Sequence, residues 1–284
     1  MTGGVDLHVH TTASDGRYSP EEIVRKAAGL GLKAIAICDH DTIDGIAAAL
    51  AAAKTFPQLK VIPGVEISTL APGSEVHMLG YFINCTDPGL KAALDSLRNS
   101  RLERAKAIID KLAKMDINID WQRVRQLAGD GSVGRPHIAQ AMLEKNYVTS
   151  FKEAFDRYLG LGGPAYVERH KITPAEAVVL IINADGSPVL AHPLTINEPE
   201  EMIANLKKIG LVGMEVYYND YDKVKRKYLA ELAEKYNLIA TGGSDYHGND
   251  DSTETMLGSA GVPNEVLERL TVLARRRGPV TTNP

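Results

Sequence analysis

Cysteine is scarce in this 284-residue chain: Cys38 and Cys85 are too few for a disulfide framework and fit a reducing compartment in which both remain free thiols. Neither has the setting of a zinc-knuckle ligand. Aromatic residues make up only 6% of the chain. No apolar run approaches the roughly 18 residues a membrane span requires, and the N-terminal stretch lacks the basic-then-apolar layout of a secretion signal. A cytoplasmic protein with no membrane partner is therefore expected. There is no excess of positive charge either, since 32 Lys and Arg face 36 Asp and Glu for a net of -4, so no global basic field holds nucleic acid. With 44% apolar and 24% charged residues, the collagen-like, coiled-coil and disordered classes are excluded.

The charge that is present is uneven. Residues 91–160 carry 13 Lys and Arg against 9 Asp and Glu, a net of +4, which leaves -8 for the remainder. A basic segment facing an acidic remainder suits an anionic substrate held over carboxylate-bound metals, although solvated helix faces would give the same count.

The length allows one or two domains, and single α/β barrels reach this size. Short apolar segments alternate with helical stretches at 5–9, 20–30, 34–38 and 42–54, the rhythm of βα units. Ser19-Pro20-Glu21-Glu22 reads as a helix start, with a capping serine, proline at the first position and carboxylates in the first turn, and Gly31 ends that helix. Residues 61–67 and 76–83 read as strands, and the alternation resumes after Thr173 with strands at 189–191, 212–217 and 238–240. From about Asp87 to Leu161 the patterning is helical only, as in Leu94, Leu97, Ala105, Ile108, Ile109 and Leu112. The expected organisation is thus an α/β body of residues 1–86 and 162–284 and a helical insertion, a substrate cap, of residues 87–161. Gly160-Leu161-Gly162-Gly163-Pro164 is the expected hinge back to the body.

Six of the eight histidines fall at strand ends. His8 and His10 lie two apart at the end of the first strand, where alternate side chains share a side, and Asp15 follows in the loop Thr11-Thr12-Ala13-Ser14-Asp15-Gly16. His40 is flanked by Asp39 and Asp41 after the next strand; Glu66 ends Pro63-Gly64-Val65-Glu66, and His77 sits in Glu75-Val76-His77-Met78. His192 lies in Ala191-His192-Pro193, and Asp245 and His247 in Gly242-Gly243-Ser244-Asp245-Tyr246-His247. Taken singly each is compatible with a satisfied core polar group; together they point to a polynuclear metal site at the C-terminal rim of a sheet.

This ordered set of motifs resembles the PHP (polymerase and histidinol phosphatase) family over about residues 3–84 and 165–260, in the branch of nucleoside 3',5'-bisphosphate phosphatases and 5'-3' exoribonucleases. The resemblance implies a distorted (β/α)7 TIM-like barrel, the PHP fold, with an inserted helical subdomain. It implies three divalent ions, one on His8, His10, Glu66 and Asp245, one on Glu66, His77 and His192, and one on Asp15, His40 and His247. The catalytic set would be His8, His10, Glu66, His192, Asp245 and His247. Cys38 is a departure, since relatives often have Thr there, but it precedes the ligand. Manganese is the leading expectation, with iron and zinc as alternatives that an all-nitrogen and oxygen donor set also admits. Such ions neutralise a phosphate ester and acidify water, from a pKa of about 15.7 to near 7.

Arg98, Arg101 and Arg104 recur at helical spacing on the insertion, and Arg135-Pro136-His137 follows a Gly-rich turn. Arg101, Arg104, Arg135 and His137 are expected to bind substrate phosphate, the alternative being solvent-facing charge. Arg169-His170-Lys171 reads as a surface loop, and Arg275-Arg276-Arg277 as the basic end of the last helix. The expected function is hydrolysis of a nucleotide phosphomonoester, the 3'-phosphate of a nucleoside 3',5'-bisphosphate, with exonucleolytic action on short RNA alongside. The alternatives are a histidinol-phosphate phosphatase, an amidohydrolase or deaminase, which would not need so many ligands, and a non-catalytic metal-stabilised module, which would have lost ligands. Nothing in the sequence calls for an obligate protein partner.

Overall fold

The computed structural model of the chain describes residues 4–72, 74–129, 131–168, 172–248 and 256–276. In chain order, β1 (Val5–Val9), α1 (Pro20–Gly29), β2 (Ala34–Ile37), α2 (Ile46–Ala53) and β3 (Lys60–Ala71) build the first βα units, followed by β4 (Ser74–Tyr81). The helices α3 (Pro88–Ala113), α4 (Trp121–Ala128), α5 (Arg135–Glu144) and α6 (Phe151–Ala154) come next, α6 running on as a π-helical turn over Phe155–Leu159. The body resumes with α7 (Pro174–Asn183), β5 (Ser187–Leu190), α8 (Pro199–Ile209), β6 (Gly213–Tyr218), α9 (Lys223–Lys235), β7 (Ile239–Gly243) and α10 (Asn264–Arg275).

Local chemistry fixes the helix ends. Ser19 accepts from the Glu22 N–H while Glu22 accepts from the Ser19 N–H, and Thr173 and Glu176 repeat this capping box at α7. Gly31, at φ +71°, supplies the left-handed residue that closes α1.

The seven strands pair in sequence order. β1, β2 and β3 are parallel, as are β5, β6 and β7, whereas β4 runs antiparallel to both neighbours. This is the distortion in the barrel: β3 and β4 form a hairpin in which Ala71 pairs with Ser74, with no helix between them. The sheet nearly closes, because the chain leaving β7 pairs with β1: the His10 N–H donates to the Tyr246 carbonyl at 3.0 Å and the Asp245 N–H to the His8 carbonyl at 2.9 Å.

Strand alternation sorts the side chains. Ile35, Ile37, Val65, Ile67, Val76, Met78, Met214 and Val216 pack outward in a cluster shared with the helices. Ala36, Cys38, Ile62, Leu79, Val189 and Ala191 pack inward in a second cluster closed by Val266 and Leu270 of α10. By the period of two, Glu66, His77 and Glu215 share the inward face. On β1 the pattern breaks: Leu7 lies in the inner cluster, Val9 in the outer one, and the pairing with β2 shifts register between Asp6 and Val9. That bulge turns both His8 and His10 into the barrel. A third cluster joins Ala105, Ile108 and Leu112 of α3 to α4, α5 and α6, while Leu90, Leu94 and Leu97 of the same helix belong to the barrel's outer cluster.

Closure leaves no room at Gly243, where a Cβ would collide with the backbone of His8. Gly243→Ala is expected to cost about 1–3 kcal/mol, as overpacking does, and to weaken divalent metal binding with it. Urea unfolding and metal titration of the same preparation check both; wild-type stability would show that β1 and β7 are not locked together.

Candidate metal centre

The side chains singled out at the strand ends converge at one end of the barrel, around Glu66. Its Oε2 lies 3.3 Å from the Nε2 atoms of both His8 and His10 and 2.8 Å from His40 Nδ1. Its Oε1 lies 2.8 Å from His77 Nδ1 and 3.2 Å from His192 Nε2. Asp245 Oδ1 stands 3.0 Å from His10 Nε2 and 3.4 Å from His8 Nε2, and Asp15 Oδ1 is 3.4 Å from His247 Nε2.

Among the described residues, three groups of donor atoms are compact enough for a cation, each within 4.8 Å: His8, His10, Glu66 and Asp245; His10, Asp15, His40 and His247; and His40, Glu66 and His77. The first coincides with an expected ligand set. The second is an expected set joined by His10, and His40 stands between the second and third. His192 reaches the centre through Glu66 Oε1 alongside His77.

These atoms fit divalent ions better than they fit one another. The Nε2 atoms of His8 and His10, His40 Nδ1 and Glu66 Oε2 are buried and close, yet make no hydrogen bond. Buried polar atoms left in this state are costly unless a cation satisfies them. The electrostatics agree. Burial would raise the Glu66 carboxyl, but His40, His77 and His8 outweigh it and hold it well below the usual range; Asp15 and Asp245 behave alike. Burial would lower His247, but Asp15 and Asp245 push it up to about 10, whereas burial prevails at His77 and brings it to about 4.

A surrounding layer of polar groups holds the donors in place, and motif reading had not assigned it. Glu215 on β6 places Oε1 3.1 Å from His8 Nδ1 and accepts the His192 N–H at 2.8 Å. Asp39 accepts from the Thr11 N–H, Thr11 Oγ1 and Ser14 Oγ at 2.7–2.8 Å, pinning the loop that carries Asp15. Asp6 accepts from the Ser244 N–H and Oγ, and Tyr218 donates to Asp245 Oδ2 at 2.9 Å. Carboxylates inside strands, as at Asp6 and Glu215, are the signal that was there to find, since strands are depleted in them. Three of the eight non-glycine residues with positive φ among the described residues lie here: Asp41, His192 and Asp245, at +53°, +25° and +54°.

The arginines divide. Arg101, Arg104 and Arg135 line a cavity of about 170 Å³ together with Asp15, His40, His77 and His247. Arg101 donates to Asp41 and Ser68 at 2.6 and 2.7 Å, Arg135 to Glu75 at 2.6 Å, and Arg104 to the Val167 carbonyl at 2.7 Å, with Glu75 also at 3.4 Å. Arg98 stays outside, tied to Asp44 and Asp95. His137 does not line this cavity; its Nδ1 accepts the Gly134 N–H at the start of α5. Arg169, His170, Lys171 and Arg277 lie outside the described residues.

Comparison with known proteins agrees with this chemistry. The PHP domain family matches residues 6–171. A 5'-3' exoribonuclease of Haemophilus influenzae is 39% identical over 87% of this chain and 91% of its own. A 3',5'-nucleoside bisphosphate phosphatase of Chromobacterium violaceum is 32% identical over 86% and 87%. Among solved structures, a Bifidobacterium adolescentis protein assigned as a metal-dependent phosphoesterase superposes with a TM-score of 0.88 at 27% identity, covering 98% of each chain. No helix among the described residues is long and apolar enough to cross a membrane.

Two outcomes follow from the geometry. Glu215→Gln, which weakens the hold on His8 without removing a donor, is expected to lower divalent metal affinity about 10- to 100-fold in competition with a chelator. Unchanged affinity would reduce Glu215 to a packing role. Because His247 titrates near 10, its imidazolium persists at neutral pH without metal, and binding must expel that proton. Metal affinity should therefore rise between about pH 6 and 9, and the calorimetric heat should depend on the buffer's ionisation enthalpy. An affinity flat in pH would contradict this charge state.

Proposed function

This chain belongs to the PHP domain family and is a metal-dependent phosphoesterase; from that premise we propose that its substrate is a nucleotide phosphomonoester, the 3'-phosphate of a nucleoside 3',5'-bisphosphate. Cleavage of short RNA in the 5'-3' direction is a second activity of the same site, favoured by the similarity to an exoribonuclease. We assign three divalent ions, with manganese ahead of iron and zinc, to His8, His10, Glu66 and Asp245, to Glu66, His77 and His192, and to Asp15, His40 and His247. The observation that carries the reading is that Arg101, Arg104 and Arg135 line one cavity with four of these side chains.

Bound divalent ions supply neutralisation of the ester and acidification of water. The chain's own residues do the rest. Tyr218 occupies Asp245 Oδ2 and leaves Oδ1 turned to the cluster, while Glu215 fixes the His8 ring. Asp41 and Glu75 hold the guanidinium forks within the cavity; with Asp15, which lines it too, they match the three arginines, and bound cations would tip the balance towards a phosphate. In this reading the body of residues 1–86 and 162–284 performs the hydrolysis, and the helical segment 87–161 is the cap that selects the nucleotide. Histidinol phosphate, with one phosphate, leaves the arginines unused, and a non-catalytic module does not account for nine chemically competent donor side chains.

Arg135→Ala should lower kcat/KM for adenosine 3',5'-bisphosphate by about 10- to 150-fold, the equivalent of one charged hydrogen bond at roughly 1.5–3 kcal/mol. p-Nitrophenyl phosphate, assayed on the same preparation, should lose much less. Equal losses on both substrates, or none on either, would remove the arginines from substrate recognition.

A further inference from the structure

The cavity beside the cluster, at about 170 Å³, is smaller than the roughly 300–1,000 Å³ of sites that enclose an organic ligand. It has room for phosphate and not for a whole nucleotide, so the rest of such a substrate must lie elsewhere. A second cavity, of about 440 Å³, adjoins it, and Asp15 and Pro136 border both. Three other cavities, at the β3–β4 turn beside α8, on the same turn beside Leu161, and beneath α10, share no residue with the 170 Å³ cavity.

The second cavity has the lining that a flat, hydrogen-bonding ring requires. Leu127 at the end of α4, Pro136 and Phe151 at the start of α6 give it apolar and aromatic surface. Gln140 of α5 contributes an amide, both donor and acceptor, and Arg17 stands exposed on the opposite wall. That wall is tied to the cluster, since the Arg17 N–H donates to the His247 carbonyl at 2.7 Å. The two cavities thus stand in fixed relation across Pro136.

We propose that the 440 Å³ cavity is the nucleobase subsite, in which Phe151 supplies the aromatic surface for the base and the Gln140 amide meets its hydrogen-bonding edge, while the phosphates stay with the cluster and the arginines. The inference rests on the nucleotide reading above. It makes the segment from α4 to α6 the part of the chain that distinguishes a nucleotide from a sugar phosphate.

The test compares adenosine 3',5'-bisphosphate with its base-free analogue, 1-deoxyribose 3,5-bisphosphate, on metal-loaded wild type, Phe151→Leu and Gln140→Ala. Wild type should prefer the base-bearing substrate in kcat/KM by about 10- to 100-fold, the range expected of a stacked base. Both variants should lose most of that preference, through KM, with the base-free substrate changed by less than about threefold. That second arm guards against misfolding, which would reduce both rates. Variants that keep the wild-type preference, or that lose both substrates equally while keeping the wild-type circular dichroism spectrum, overturn the subsite. Wild-type turnover of both bisphosphates at equal rates would leave the nucleotide reading standing and remove this inference, whereas turnover of neither would remove the reading and the inference together.

Discussion

One buried carboxylate organises this molecule. Glu66 is 1% exposed and has five imidazoles around its two oxygens, from β1, β4 and the loops after β2 and β5. A negative charge in a protein interior is strongly disfavoured unless it is paired, and burial alone would push this carboxyl towards protonation. The histidines reverse that, but burial itself works against the charged forms of His8, His10, His77 and His192. An arrangement of this kind closes its charge balance by binding cations, so the barrel's catalytic end is one whose stability and function have the same requirement.

Much of the backbone serves that requirement. The bulge in β1 lets two successive alternate residues turn inward after an inward-facing Leu7, and a second register shift follows Glu215 on β6. The antiparallel β4 brings His77 opposite Ser68 and within reach of Glu66. His192 and Asp245 sit in left-handed backbone, which ordinarily costs a non-glycine residue about 1–3 kcal/mol. Such strain persists because the strands on either side hold it, and it aims both side chains at the cluster.

The sequence shows the parts of this arrangement that depend on local pattern. Strand positions and capped helices were legible from periodicity and caps, because helix and strand pattern are local, whereas the barrel was implied by the family resemblance. The direction of β4 was not, since an alternating segment reads the same in either sense and only the hairpin's register with β3 fixes it. The six strand-end histidines were visible as a set, because residues that serve one site must recur at the same rim. Glu215, Asp6 and Tyr218 were missed: Glu215 and Tyr218 touch donors, and Asp6 touches the neighbour of one, more than 20 residues away in sequence, and no spacing rule connects them. Leaving Arg98 out of the expected phosphate set had little local ground, since residues three apart on a helix share a face; the packing of α3 sends Arg98 to Asp44 and Arg101 to Asp41.

The long helix α3 accounts for how a cap and a barrel act as one site. Its first half packs into the barrel's outer cluster through Leu90, Leu94 and Leu97, and its second half into the helical cluster through Ala105, Ile108 and Leu112. Arg101 and Arg104 lie at the changeover, where the helix is fixed from both sides. A guanidinium on such a seam has its position set by continuous α-helical hydrogen bonding and by two cores, not by a loop. Phosphate recognition, the role proposed for these arginines, depends on fork geometry held to fractions of an ångström, and a helix packed on both sides suits it. The proposed division, with hydrolysis in the barrel and selection in the cap, therefore does not need a hinge at Gly160–Pro164 to bring the two together; in that reading the helix that enters the cap would already carry the grip.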